Sequence, residues 1–156
     1  MSTISDVAAY FCAKYPHKSE LSKTRLTKLV YLADWEAAKH LGRQITDIRW
    51  YFHNFGPYVD DVVDAVQSDD RFEIVSSRNY YGDEKLEIKL KQTNRLDLEL
   101  IPEELAILDS VIEKTRPMYW NAFIKHVYST DPIEQSDRYR HLDLVAFANE
   151  SRAQAH

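Results

Sequence analysis

The side chains best able to do chemistry are thinly spread along this chain. The soft metal donors are six histidines, His17, His40, His53, His126, His141 and His156, and the single Cys12. No two of them form an H-x-x-x-H or C-x-x-C pair, the spacings that bring two ligands onto one face of a helix or turn. Neither a metal nor a cofactor is expected. The three glycines stand apart at 42, 56 and 82, so no glycine-rich loop is present to cradle a phosphate. Serine and histidine occur without a G-x-S-x-G elbow, and the adjacent acids Asp60 with Asp61 and Glu103 with Glu104 would diverge on a helix. The chain therefore reads as a protein that is not an enzyme. Cys12, beside Phe11 in an apolar-periodic segment, reads as a buried small hydrophobe, and a lone cysteine fits a reducing compartment.

What the chain does concentrate is rings. Trp50, Tyr51, Phe52, His53, Phe55 and Tyr58 crowd around Gly56-Pro57, and Asp60, Asp61 and Asp64 follow directly. From Ile48 to His53 the residues alternate as in an extended segment. Ile48, Trp50 and Phe52 fall on one side, Arg49, Tyr51 and His53 on the other. If the first set packs inward, Tyr51, His53 and Tyr58 are left as aromatic anchors of the kind protein interfaces use, with Asp60, Asp61 and Asp64 as the charge complement. The competing reading is that half the rings fill the core, the Gly-Pro elbow sets the entry angle of the next helix, and the acids form a solvated helix face.

Elements to position these residues are legible on either side. Leu26, Leu29, Val30, Ala33, Ala37 and Leu41 keep helical spacing, and Gly42 supplies the stop. Pro57 suits a first helical turn, and Val59, Val62, Val63 and Val66 stripe a second helix whose other faces carry the three acids. A short first helix over Ile4 to Tyr15 precedes this unit. Phe72 with Ile74, and Leu86, Ile88 and Leu90, are alternating sets on either side of Asn79-Tyr80-Tyr81-Gly82-Asp83, which predicts a β-hairpin. The Ile48 run is available to it as a third strand. Gln92 to Leu100 reads equally as a strand or an extended connection. Pro102-Glu103-Glu104 opens a further helix, Trp120 to Val127 continues helical, Ser129 to Pro132 breaks it, and Tyr139 to Ala148 is a weaker last helix. The expected fold is mainly α with a small antiparallel hairpin or three-stranded sheet, one domain over 1–149 and a frayed tail over 150–156.

Composition narrows the partners. With 156 residues one domain can bury about two-thirds of its extended-chain surface. A net charge of −5 argues against a non-specific nucleic-acid binder, whose affinity comes from neutralising phosphates. The charge is uneven: Asp60, Asp61, Asp64, Asp69, Asp70 and Glu73 face Arg71 alone, an acidic stretch able to steer a basic partner. No apolar run approaches the roughly 20 residues needed to span a bilayer, and no signal peptide is evident at the N-terminus, so a cytoplasmic protein without membrane attachment is expected.

Leu26 to Leu41, the following Gly42-Arg43-Gln44-Ile45-Thr46-Asp47, and the Gly56-Pro57-Tyr58-Val59 elbow with its valine-striped helix resemble the Panacea, or SocA-like, antitoxin domain. The hairpin, the P-E-E-L helix and the H-V-Y-S-T-D-P-I stretch extend the likeness over nearly all the chain. The resemblance implies a mostly helical, non-enzymatic antitoxin of a toxin-antitoxin system, of the sort prophages and mobile elements carry, that binds and neutralises a protein toxin encoded beside it. Family partners include toxic small alarmone synthetases, and another basic toxin would fit as well. The alternative is a proteolytic adaptor, or a regulatory protein of phage or mobile-element origin, that presents a client to a protease.

Overall fold

The computed structural model describes residues 3–78, 81–93 and 96–154. Among these, helices α1 (Thr3–Lys14), α2 (Lys23–Leu41), α3 (Asp61–Gln67), α4 (Pro102–Thr115), α5 (Trp120–Tyr128), α6 (Asp131–Glu134) and α7 (Leu144–Gln154) enclose one hydrophobic core. Two small antiparallel sheets complete the fold, β1 (Phe52–His53) with β2 (Gly56–Pro57) and β3 (Phe72–Arg78) with β4 (Glu84–Leu90).

Helix α2 is the axis. Its residues from Leu26 to Trp35 are buried without interruption, the signature of a helix covered on all sides rather than on one stripe. Around it lie α1, α3, α4, α7 and β4. Ser22 caps its start by accepting from Arg25 N at 3.1 Å, and Gly42, at φ +76°, ends it in the left-handed conformation the sequence predicts. Among the described residues no helix is long and apolar enough to cross a membrane.

The hairpin forms as expected, with Phe72 opposite Leu90 and Ile74 opposite Ile88, although Asn79 and Tyr80 of its turn lie outside the described residues. Ile48 to His53 does not join it. The free edge of β4 is already taken by the strand-like approach to α2, where Ile88 N donates to Leu21 O at 2.9 Å. Instead this run pairs with Gly56–Pro57 and with a distant segment before α7: Leu142 N donates to Trp50 O at 2.8 Å and Phe52 N to Arg140 O at 2.9 Å.

That pairing also moves the last helix. Tyr139 takes φ +68° and residues 139–142 are spent on the backbone bonds to 50–52, so α7 starts at Leu144 and not at Tyr139. It then continues through Gln154, where a frayed tail from residue 150 was expected, because Arg152 reaches back to donate to Ala38 O at 2.9 Å. Residues 155–156 lie outside the described range. The Asp131-Pro132 break holds as a boundary but itself forms the one-turn α6. Of the Gln92 to Leu100 stretch, Leu96 to Leu100 is a connection without regular secondary structure and not a strand, and Asn94 and Arg95 are outside the described residues.

Candidate partner-binding surface at the Gly-Pro elbow

The elbow is a miniature hairpin rather than a helix start. Phe52 pairs with Pro57 and His53 with Gly56, leaving Asn54 and Phe55 as the turn. Gly56 sits at φ +101°, where L side chains are strained, and the ring of Tyr128 stands 3.5 Å from where a Cβ would be. Tyr58 N donates to Tyr51 O at 3.0 Å, so the chain stays extended past Pro57, and α3 begins only at Asp61. The sequence expectation of Pro57 in a first helical turn is thus corrected. Its carbonyl is instead held by the ammonium of Lys28 at 3.3 Å.

The alternation from Ile48 onward is kept. Ile48, Trp50 and Phe52 are buried, while Arg49 and His53 are exposed and Tyr51 is half-buried. In α3, Val62, Val63 and Val66 face the core, and Asp60, Asp61 and Asp64 face outward. Two faces derived from different periodicities then meet. Tyr51, Tyr58, Asp60 and Asp61 line one shallow depression of about 550 Å³, together with Asp47, Arg49 and His141. His53 is beside it, its ring 6.0 Å from that of Tyr51. Asp64 does not line the depression but is near enough to act on it. The Tyr58 hydroxyl is pushed above its ordinary pKa first by burial and then by the charges of Asp60 and Asp64.

Three carboxylates against one guanidinium, between two tyrosine rings, give the depression a negative field suited to a basic group. Sequence reasoning missed four of its members: Arg49, Asp47, His141 and Val59, the last read as part of the α3 stripe although it precedes that helix and is half-buried at the depression. Arg49 belongs to the same exposed set as Tyr51 and His53, so the signal for it was present. Asp47 sits in a turn with no periodicity to place it. His141 arrives from the pre-α7 segment, its ring 5.2 Å from Tyr51, through a pairing that no local pattern announces.

Beneath the surface, α2 carries polar groups the sequence left without a role. Asp34 is fully buried. One of its carboxylate oxygens accepts from Ile45 N and Thr46 N, each at 3.0 Å, and the other from Thr46 Oγ1 at 2.5 Å, Trp50 Nε1 at 2.9 Å and Gln44 Nε2 at 3.4 Å. Burial pushes its pKa up to about 6 while the donors pull it down, so the group is ionised at neutral pH. This knot fixes the 44–50 loop and hence the direction in which Arg49 and Tyr51 leave it. The available sequence signal was an acid four residues after Val30 and three before Ala37, on the apolar face of a helix.

Core helix, elbow hairpin and valine-striped helix define a small, mainly α domain that presents an aromatic and acidic surface at the elbow. The family model described as antitoxin SocA-like, Panacea domain, matches residues 26–132, a span that begins in α2 and ends in α6. The chain belongs to this family. Nothing among curated proteins or solved structures matches it significantly.

Proposed function

We propose that this protein is an antitoxin that neutralises a cognate protein toxin by direct, non-catalytic contact in the cytoplasm, and that the elbow depression takes a basic group of that toxin. The observation that carries the reading is the convergence of Tyr51, Tyr58, Asp60 and Asp61 on one surface of a chain whose family is antitoxin-like. Aromatic walls supply apolar area at low entropy cost, and the carboxylates supply steering and register toward a Lys or Arg. His53 and Asp64 flank that contact. The test is co-expression with the reading frame adjacent to the gene. Rescue of growth together with a stoichiometric complex on gel filtration supports the proposal. Rescue only in cells with an intact ATP-dependent protease, accompanied by falling toxin levels, would assign the adaptor role instead, and no rescue of any neighbour would sink both.

A further inference from the structure

A second depression, of about 310 Å³, shares no lining residue with the first. It lies where α2, the elbow turn and α5 meet, lined by Thr24, Lys28, Phe55, Trp120, Ile124 and Tyr128. Its lining is mostly apolar. Two of the large apolar side chains that the described surface leaves open are here, Phe55 at 79% and Trp120 at 44% exposure. Both rims are fixed from below: Lys28 holds Pro57 O next to the elbow turn, and Arg25 Nη2 donates at 3.0 Å to Met118 O, two residues before Trp120.

Lys28 is the one charged residue in this lining, and it is only 1% exposed. Its ammonium has three donors. One meets Pro57 O, the ring of Tyr58 lies 5.8 Å away, and among the described residues the other two N–H groups meet no acceptor. No carboxylate lines the groove to neutralise it. A desolvated cation with open donors at the edge of an apolar trough is complementary to an anion carried on an apolar body. Burial alone lowers the Lys28 pKa to about 8, which is the same deficit of solvation seen from the proton's side.

We propose that this groove seats a segment of a protein partner presenting an aromatic or long aliphatic side chain next to a carboxylate, the apolar group lying between Phe55 and Trp120 and the carboxylate reaching Lys28. A polypeptide is favoured over a small molecule because Phe55 stands at the tip of the turn. A ligand confined to the trough would leave the outer face of that ring in water, whereas a main chain crossing the rim covers it. The proposal rests on the reading that this chain binds a protein, but not on the acidic depression being the contact.

The experiment uses the full chain, isotopically labelled, titrated in NMR with the blocked tetrapeptide acetyl-Gly-Phe-Glu-Gly-amide and with its Gln counterpart. Expected are shifts at Phe55, Lys28 and the Trp120 indole, and about tenfold tighter binding of the Glu peptide. Lys28→Met should retain the fold and lose that preference, Phe55→Ser in the exposed turn should abolish binding, and Asp60→Lys with Asp61→Lys should leave peptide binding intact. The last variant separates failure of this site from failure of the elbow depression. Absence of shifts at millimolar peptide, or equal affinity for the Glu and Gln forms, overturns the proposal. Binding of 3-phenylpropanoate as tight as that of the peptide also overturns it, by making the groove a small-molecule site.

Discussion

Asp34→Ala removes the acceptor on which the 44–50 loop is built. Of its five donors, the Thr46 hydroxyl can turn and Gln44 keeps the carbonyls of Thr46 and Ile48. The N–H groups of Ile45 and Thr46 and the indole of Trp50 have no second acceptor. A buried donor left unsatisfied costs about 1–3 kcal/mol, so the three together cost about 6 kcal/mol. Removing the carboxylate also returns its own desolvation. Burial raises Asp34 from 3.8 to about 6 even with its donors in place, which puts that return on the order of 3 kcal/mol at neutral pH. The orphaned donors win, and a net destabilisation of about 3 kcal/mol is expected. Urea unfolding followed by circular dichroism and tryptophan fluorescence measures it, and amide exchange at Ile45 and Thr46 localises it. The folded chain takes up the Asp34 proton near pH 6 and the unfolded chain near 3.8, so wild type should gain stability relative to the variant as pH falls through that window. A loss below about 1 kcal/mol with unchanged protection at both amides would refute the reasoning.

Lys28 has its pKa lowered in the fold from 10.5 to about 8, so its burial costs stability at neutral pH and the cost fades as pH rises across that interval. Lys28→Met should be more stable than wild type at neutral pH, by up to roughly 3 kcal/mol, and should lose that advantage in alkali; parallel stability curves for the two proteins would exclude it. Gly56→Ala should destabilise by about 1–3 kcal/mol through φ +101° alone, since 3.5 Å to Tyr128 is ordinary contact; an unchanged urea midpoint would mean the elbow relaxes at no cost. Asp60→Lys with Asp61→Lys, both exposed, should weaken the toxin complex about tenfold or more, mainly in association rate, with stability nearly unchanged. Calorimetry and stopped-flow association check this, and an unaltered rate removes the depression from the interface.

The parts of the fold legible in the sequence were those written in one periodicity. Helix α2 with its glycine stop, the β3–β4 register, and the inward and outward sets of 48–53 and of α3 all follow from spacing within one segment. What spacing does not carry is competition for an edge. The Ile48 run reads as a spare strand of the hairpin, and it pairs instead with 139–142, while Leu21 and Ser22 lie along β4. One such exchange displaced the start of α7, brought His141 to the candidate surface and gave Tyr139 a positive φ. The elbow was misread for a related reason. Pro57 fits a first helical turn and an extended strand edge equally well, and the tyrosine backbone bond from 58 to 51 decided between them.

The buried polar residues of α2 point to a further regularity that the apolar stripe concealed. Arg25 donates to Met118 O, Lys28 to Pro57 O, Tyr31 to Thr130 Oγ1 at 2.8 Å, and Asp34 accepts from the 44–50 loop. Each is three residues beyond the last. In an α-helix a step of three falls about 60° short of a full turn, so four such residues sweep about half the circumference while climbing the axis. One helix thereby tethers four separate segments: the α4–α5 turn, the elbow, the start of α6 and the loop that follows α2 itself. Two of those four segments, the elbow and the loop after α2, carry residues of the two depressions. Their polar tethers are the only part of α2 that an apolar core would not need, since an apolar helix of the same shape would bury as well and leave no charge to desolvate. The tethers are therefore best understood as fixing where surface loops lie rather than as adding stability. Substitutions at Arg25 or Asp34, neither of them in either depression, should alter partner binding by moving the groups that are.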